Sequence, residues 1–165
     1  MEVIPNLYVG GNEEYEKVKD KSGWSWLRCA KYGPGGHQQT LGYHTLAAPK
    51  GPNYLVVRKK NLMALNLIDQ DDPNYIPEEC ILKGLDFIKE RLDAGDKVLV
   101  ACNSGQSRGP TTALMFLRSI GEMPHNFVTS ERIYRTLYPK YSPGQGMRQR
   151  ARQMWDQLEN YESNT

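Results

Sequence analysis

Apolar positions along this chain change period several times, and each change marks an element. Val3–Gly11 is a short apolar run ending in a glycine turn, which predicts a strand. Glu13–Lys19 is polar and helix-prone. Trp24–Ala30 alternates as a strand does. Tyr54–Val57 and Leu62–Ile68, separated by Arg58–Asn61, predict a hairpin-like pair whose second strand is buried and ends at Asp69. From Pro77 to Asp93 the apolar residues Ile81, Leu85, Ile88 and Leu92 recur at helical spacing and form one face. Val98–Val100 then reads as a buried strand, and Thr111–Leu117 as a helix with Pro110 in its first turn. A break at Gly121–Pro124 precedes a helix over Phe127–Leu137, with Phe127, Ile133, Tyr134 and Leu137 as core contacts. A turn-rich connector, Tyr138–Gly146, leads into a closing helix from Met147 to Tyr161. That helix buries Met147, Ala151, Met154, Trp155 and Leu158 and turns Arg148, Arg150 and Arg152 to solvent. Fraying is expected from Glu162 onward.

Strands alternating with helices predict an α/β fold: a central, mainly parallel sheet flanked by helices. One stretch escapes the pattern. Lys31–Asn53 is rich in Gly, Pro, Gln and His and reads as a long loop. Loops of that length in a compact domain are usually functional or mobile, so Arg28, Lys31, His37 and His44 are candidates to face a substrate. A solvated surface loop without a chemical role explains the same residues equally well.

Composition narrows the class. The 165 residues suit one domain, 1–165, with a core large enough to need no staples. A net charge of +2 gives no nucleic-acid or membrane signal. Cys29, Cys80 and Cys102 are an odd number without zinc spacing, which favours a reducing, cytoplasmic setting. No signal peptide, spanning segment or internal repeat is evident. His37 and His44 have no partner cysteine or carboxylate cluster at ligand spacing, and His125 is no better placed, so no metal and no cofactor is expected.

The chemistry concentrates in Cys102-Asn103-Ser104-Gly105-Gln106-Ser107-Arg108, between the Val98–Val100 strand and the following helix. A loop from a strand end to a helix start aims backbone N–H groups at one point, which binds phosphate or another oxyanion. Cys102 sits where those groups and the helix end favour a thiolate, the nucleophilic form. Gly105 lets the backbone curl past the bound group. Arg108 offers a planar fork for two phosphoryl oxygens. Asn103, Ser104, Gly105, Gln106, Ser107 and Arg108 are therefore the candidate substrate-binding set.

The run Val98–Arg108 resembles the signature loop of cysteine-dependent protein tyrosine phosphatases, closest to the dual-specificity branch. That pattern is His-Cys, five residues, Arg, then usually Ser or Thr. Cys102, Gly105 and Arg108 match it; Ala101 stands in place of the His and Gly109 in place of the hydroxyl residue. Ile4–Gly10 resembles the family's first strand, and the Pro143–Gly146 connector before the last helix is also similar. The likeness runs along the whole chain except Lys31–Asn53.

The resemblance implies a single catalytic domain that hydrolyses phosphomonoesters of phosphotyrosine, phosphoserine or phosphothreonine proteins through a cysteinyl-phosphate. It also implies a general acid on a loop roughly thirty residues before the Cys, where Asp69, Asp71 and Asp72 stand. Counting from the strand favours Asp69, counting from the next helix favours Asp71, and at least one carboxylate caps a turn. Ser107 or Ser104 is a candidate to assist the second step. Losing the His and the hydroxyl implies slower catalysis with nucleophile and phosphate site intact.

Two other classes compete. One is a pseudophosphatase that binds phosphorylated partners with little turnover. The other is a different cysteine enzyme, a sulfurtransferase or arsenate reductase. The acidic Asp69–Asp72 loop argues against the former, and the lack of evident resolving cysteines near Cys102 against the latter.

Overall fold

The computed structural model describes residues 1–162, so the fraying expected from Glu162 onward lies, for residues 163–165, outside the described residues. A six-stranded sheet runs in the order β1-β2-β6-β3-β5-β4, built from β1 (Glu2–Ile4), β2 (Leu7–Gly10), β3 (Trp24–Arg28), β4 (Val56–Lys59), β5 (Leu62–Leu65) and β6 (Lys97–Ala101). The four central strands are parallel, and the two edges pair antiparallel. The expected mainly parallel α/β sheet is thus present, with its helices on both faces.

Strand β6 shows why the centre holds. Its residues alternate: Val98 and Val100, followed by Cys102, face the large core, while Leu99 and Ala101 face the opposite side. The large core lies against α3 (Glu78–Asp93), α4 (Arg108–Ser119) and α6 (Gln145–Met154), with α5 (Phe127–Leu137) contributing Phe127 and Tyr134. The other face is covered by α1 (Asn12–Val18), whose Tyr15 packs on Leu99 and Ala101. Each large aliphatic residue buried this way contributes about 1.5–3 kcal/mol, so a sheet covered on both faces needs no cross-links.

Several boundaries differ from the sequence reading. The single strand expected over Val3–Gly11 is two antiparallel strands, because Pro5 and Asn6 turn the chain and Asn6 adopts φ 70°. The β4–β5 hairpin turns at Lys60 and Asn61 rather than over four residues, and β5 ends at Leu65, although Leu67 remains buried. The Lys31–Asn53 loop contains a short helix, α2 (His37–Leu41), held by tertiary bonds. The last helix ends at Met154, and turns carry the still-buried Trp155 and Leu158.

Three side-chain expectations are corrected as well. Ile133 is exposed rather than in the core. Arg148 is bonded to Glu131, and Arg150 donates to the carbonyls of Pro73 and Ile76, so neither is simply solvated. No helix among the described residues is long and apolar enough to cross a membrane.

Candidate active site

Cys102 follows the last residue of β6 and is almost fully buried, at 1 % exposure. Arg108 begins α4, so the intervening residues form a loop at the carboxyl end of a central strand, next to a helix N-terminus. The carbonyls of this loop are tied outward. Asn103 O accepts from the Asn12 N–H (3.0 Å), Gly105 O from the Tyr138 hydroxyl (2.6 Å), and Gln106 O from the Ser142 N–H (2.8 Å). Cys102 O accepts from Arg28 Nη1 at 3.3 Å. In a planar trans peptide the next N–H points opposite to the carbonyl, so these bonds turn the amides of Asn103, Ser104, Gln106 and Ser107 toward the inside of the curl. The Gln106 N–H makes one long contact, 3.3 Å, to Ser104 Oγ.

Gly105 has φ +75°, and its Cα lies against the Gly10–Gly11 backbone, with room for a Cβ only at 3.0 Å; both facts require glycine. Tyr138, which bonds it, is a lasting donor because burial pushes its phenol up to about 12. Burial likewise pushes the Cys29 and Cys80 thiols up to about 12. Both are fully buried and lie outside the loop, whereas Cys102 opens it.

Arg108 is half-buried and donates from Nη1 to Leu67 O at 2.8 Å. The same carbonyl accepts the Lys31 N–H, so one oxygen links the exits of β3, β5 and β6. The three candidate carboxylates separate. Asp72 caps the short 3-10 turn Pro73–Tyr75 by accepting from the Asn74 N–H. Asp69 is exposed and lies against Gly144, where a Cβ would stand 2.6 Å from its Oδ1. Gly144 in turn donates its N–H to Ser107 Oγ at 2.8 Å. Asp69 is thereby on the rim of the loop, whereas Asp71 is exposed and makes no side-chain bond among the described residues.

The candidates in the long loop fall differently from expectation. His37 is buried, bonded to Tyr43 and to Asn53 O, and burial draws its imidazole below the ordinary range. It pins the segment rather than facing substrate. The Lys31 amine is buried against Leu46 O, and Arg28 is fully buried beneath the Cys102 loop. Of the four, only His44 is exposed. Sequence reasoning missed Tyr138, Gly144 and the depth of Arg28. The sole signal for the last was a charge at the C-terminal end of a mostly apolar strand.

Solved structures share this fold. A leucine rich repeat and phosphatase domain containing protein from Entamoeba histolytica superposes with a TM-score of 0.66 at 14% identity, over 98% of this chain and 94% of that one. Human DUSP28 gives 0.65 at 15% identity over 95% and 93%. The human tyrosine phosphatase-like serine/threonine/tyrosine-interacting protein gives 0.62 at 16% identity over 92% of both. The fold is that of the dual-specificity phosphatases. No protein-family model matches the chain, and no curated protein matches it in sequence.

Within the dual-specificity phosphatase fold, the two departures from the signature pattern are adjacent. A Cβ at Gly109 would lie 2.9 Å from Cys102 N and 3.1 Å from the carbonyl carbon of Ala101. Backbone cannot yield there as a flexible side chain can. Gly109→Ser, which restores the usual hydroxyl, is therefore expected to lower stability by about 1–2 kcal/mol despite the better helix propensity of serine. Thermal melts check this; a Tm equal to or above that of the parent chain contradicts it.

Proposed function

We propose that this chain hydrolyses phosphomonoesters on proteins through a cysteinyl-phosphate. The observation that carries the reading is the Cys102–Arg108 loop, its carbonyls tied outward and its arginine at the start of α4. The Cys102 thiolate attacks phosphorus as the bond to the leaving oxygen breaks, and Asp69 gives that oxygen a proton. Water then attacks phosphorus, the P–S bond breaks, and the Asp69 carboxylate takes the proton from water. Inward N–H groups and Arg108 hold the three equatorial oxygens throughout, so catalysis is mainly positioning and electrostatics. No step calls on a metal. A nucleophilic thiol works in a reducing compartment, which fits the cytoplasm.

A pseudophosphatase is the second reading, and one contact favours it. Gly109 leaves no side-chain room beside Cys102 N, so the hydroxyl that usually follows the arginine and helps the thiolate leave is missing there. Slow breakdown of the cysteinyl-phosphate follows.

Turnover of 4-nitrophenyl phosphate between pH 5 and 8, with a chelator present, tests the proposal. Asp69→Asn is expected to lower kcat about 100-fold, the usual size of a lost general acid, and Asp71→Asn to change it less than about threefold. A burst of one equivalent followed by a slow phase marks rate-limiting breakdown. No turnover with vanadate still bound supports the second reading. Absence of both turnover and oxyanion binding overturns the two together.

A further inference from the structure

Arg28 is the largest fully buried side chain among the described residues. It ends β3, directly across from Ala101 of β6 in the parallel register, on the face where Tyr15 packs. Its guanidinium lies 4.7 Å over the Tyr15 ring. Nε donates to Pro34 O (2.9 Å), Nη1 to Cys102 O (3.3 Å), and Nη2 to Asn12 Oδ1 (2.6 Å) and Asn103 Oδ1 (3.2 Å). Every acceptor is neutral, and no carboxylate pairs with Arg28 among the described residues.

A buried charge without a counter-ion is costly, and an apolar side chain filling the same space removes that cost. Burial draws this guanidinium below its ordinary range, while the neighbouring Cys29, Tyr15 and Cys102 groups oppose the shift. The acceptors belong to the parts that build the site: the start of α1, the Cys102 loop and the segment after β3.

We propose that Arg28 is the positioning residue of the Cys102 loop: its guanidinium clasps the loop from below, and its unpaired positive charge, with that of Arg108, draws an anion onto Cys102. The inference rests on Cys102–Arg108 being an oxyanion loop, but not on turnover.

The test uses the whole chain and compares alkylation of Cys102 by iodoacetate, an anion, with that by neutral iodoacetamide. The modified peptide is identified by mass, and inorganic phosphate serves as the protecting ligand. Asn12→Asp keeps an oxygen where Nη2 donates and adds the missing negative charge. It is expected to cut the iodoacetate-to-iodoacetamide rate ratio roughly fivefold and to weaken phosphate protection, since a charge a few ångströms away changes local anion concentration by such factors. Arg28→Lys keeps the charge but cannot span the three segments. Its ratio is expected to stay within about twofold of the parent while phosphate protection weakens about tenfold.

A folded Asn12→Asp chain with unchanged ratio and protection overturns the proposal. Should that variant fail to melt cooperatively, undiminished phosphate protection in Arg28→Lys overturns it instead. Absence of phosphate protection in the parent chain overturns the oxyanion loop and this inference together. Protection without turnover overturns hydrolysis alone.

Discussion

Cys102→Ser is expected to lower kcat/KM for an aryl phosphate by at least about 10³-fold while leaving vanadate affinity within a few-fold of the parent. The loss follows from the nucleophile: a serine hydroxyl at this place has no base beside it, and no histidine lies in the described loop. The retained affinity follows from the scaffold. Arg28, Tyr138 and Ser142 bond backbone carbonyls of the loop, and Asn12 donates from its own backbone, so the side chain at 102 holds none of these contacts. Cys29 and Cys80 offer no substitute, because burial holds both as thiols. Steady-state rates and vanadate titration of the two chains decide it. Turnover in the serine variant above about a hundredth of the parent rate removes Cys102 from the mechanism.

The loop that carries Cys102 was legible in the sequence because the features that place it are local. Three apolar residues make a buried strand, a glycine permits the curl, and Pro110 is tolerated in the first turn of the next helix. The helix α3 was legible for the same reason, its apolar face repeating at Ile81, Leu85 and Ile88, all buried. What stayed hidden depends on partners distant in sequence. Helix α2 is five residues set between Gly36 and Gly42, too short to persist alone, and it is held through His37 bonding Tyr43 and Asn53. Asp69 could not be told from Asp71 by counting. What separates them is the approach of Gly144, some seventy positions further on. Arg148 and Arg150 of α6 looked like a solvated face because their acceptors, Glu131 and the Pro73 and Ile76 carbonyls, lie on other elements. Arg28 shows the limit most clearly, since a charge within an apolar strand has no meaning until the neutral oxygens around it are known.

Glu131→Gln is expected to destabilise the chain by about 2 kcal/mol at neutral pH, lowering Tm by roughly 4–8 °C. Glu131 is 2 % exposed on α5 and accepts two bonds from Arg148 Nε and Nη2, at 3.0 and 2.7 Å, and one from the Tyr141 hydroxyl at 2.8 Å. Removing its charge leaves Arg148 facing a neutral oxygen. The cost falls below that of a wholly buried pair because Arg148 remains about 39% exposed and water screens it. Burial alone raises the Glu131 carboxyl, but the bonds from Arg148 and Tyr141 outweigh it, and the net shift is downward. A carboxylate with a depressed folded value stabilises fully above its unfolded value, about 4.3, and loses that contribution as pH falls through the folded one. The Tm gap between parent and variant therefore closes as pH drops from 5 toward 3, and a gap that stays constant over that range contradicts an ionic origin. The same pair reaches the site. Tyr141 packs edge-on against Tyr134, whose hydroxyl bonds Pro110 O in the first turn of α4, and the adjoining Ser142 and Gly144 amides brace Gln106 and Ser107. Amide exchange in Glu131→Gln should accordingly rise first at Ser142 and Gly144, because the connector that steadies the loop and carries Asp69 on its flank is the part this ion pair holds down.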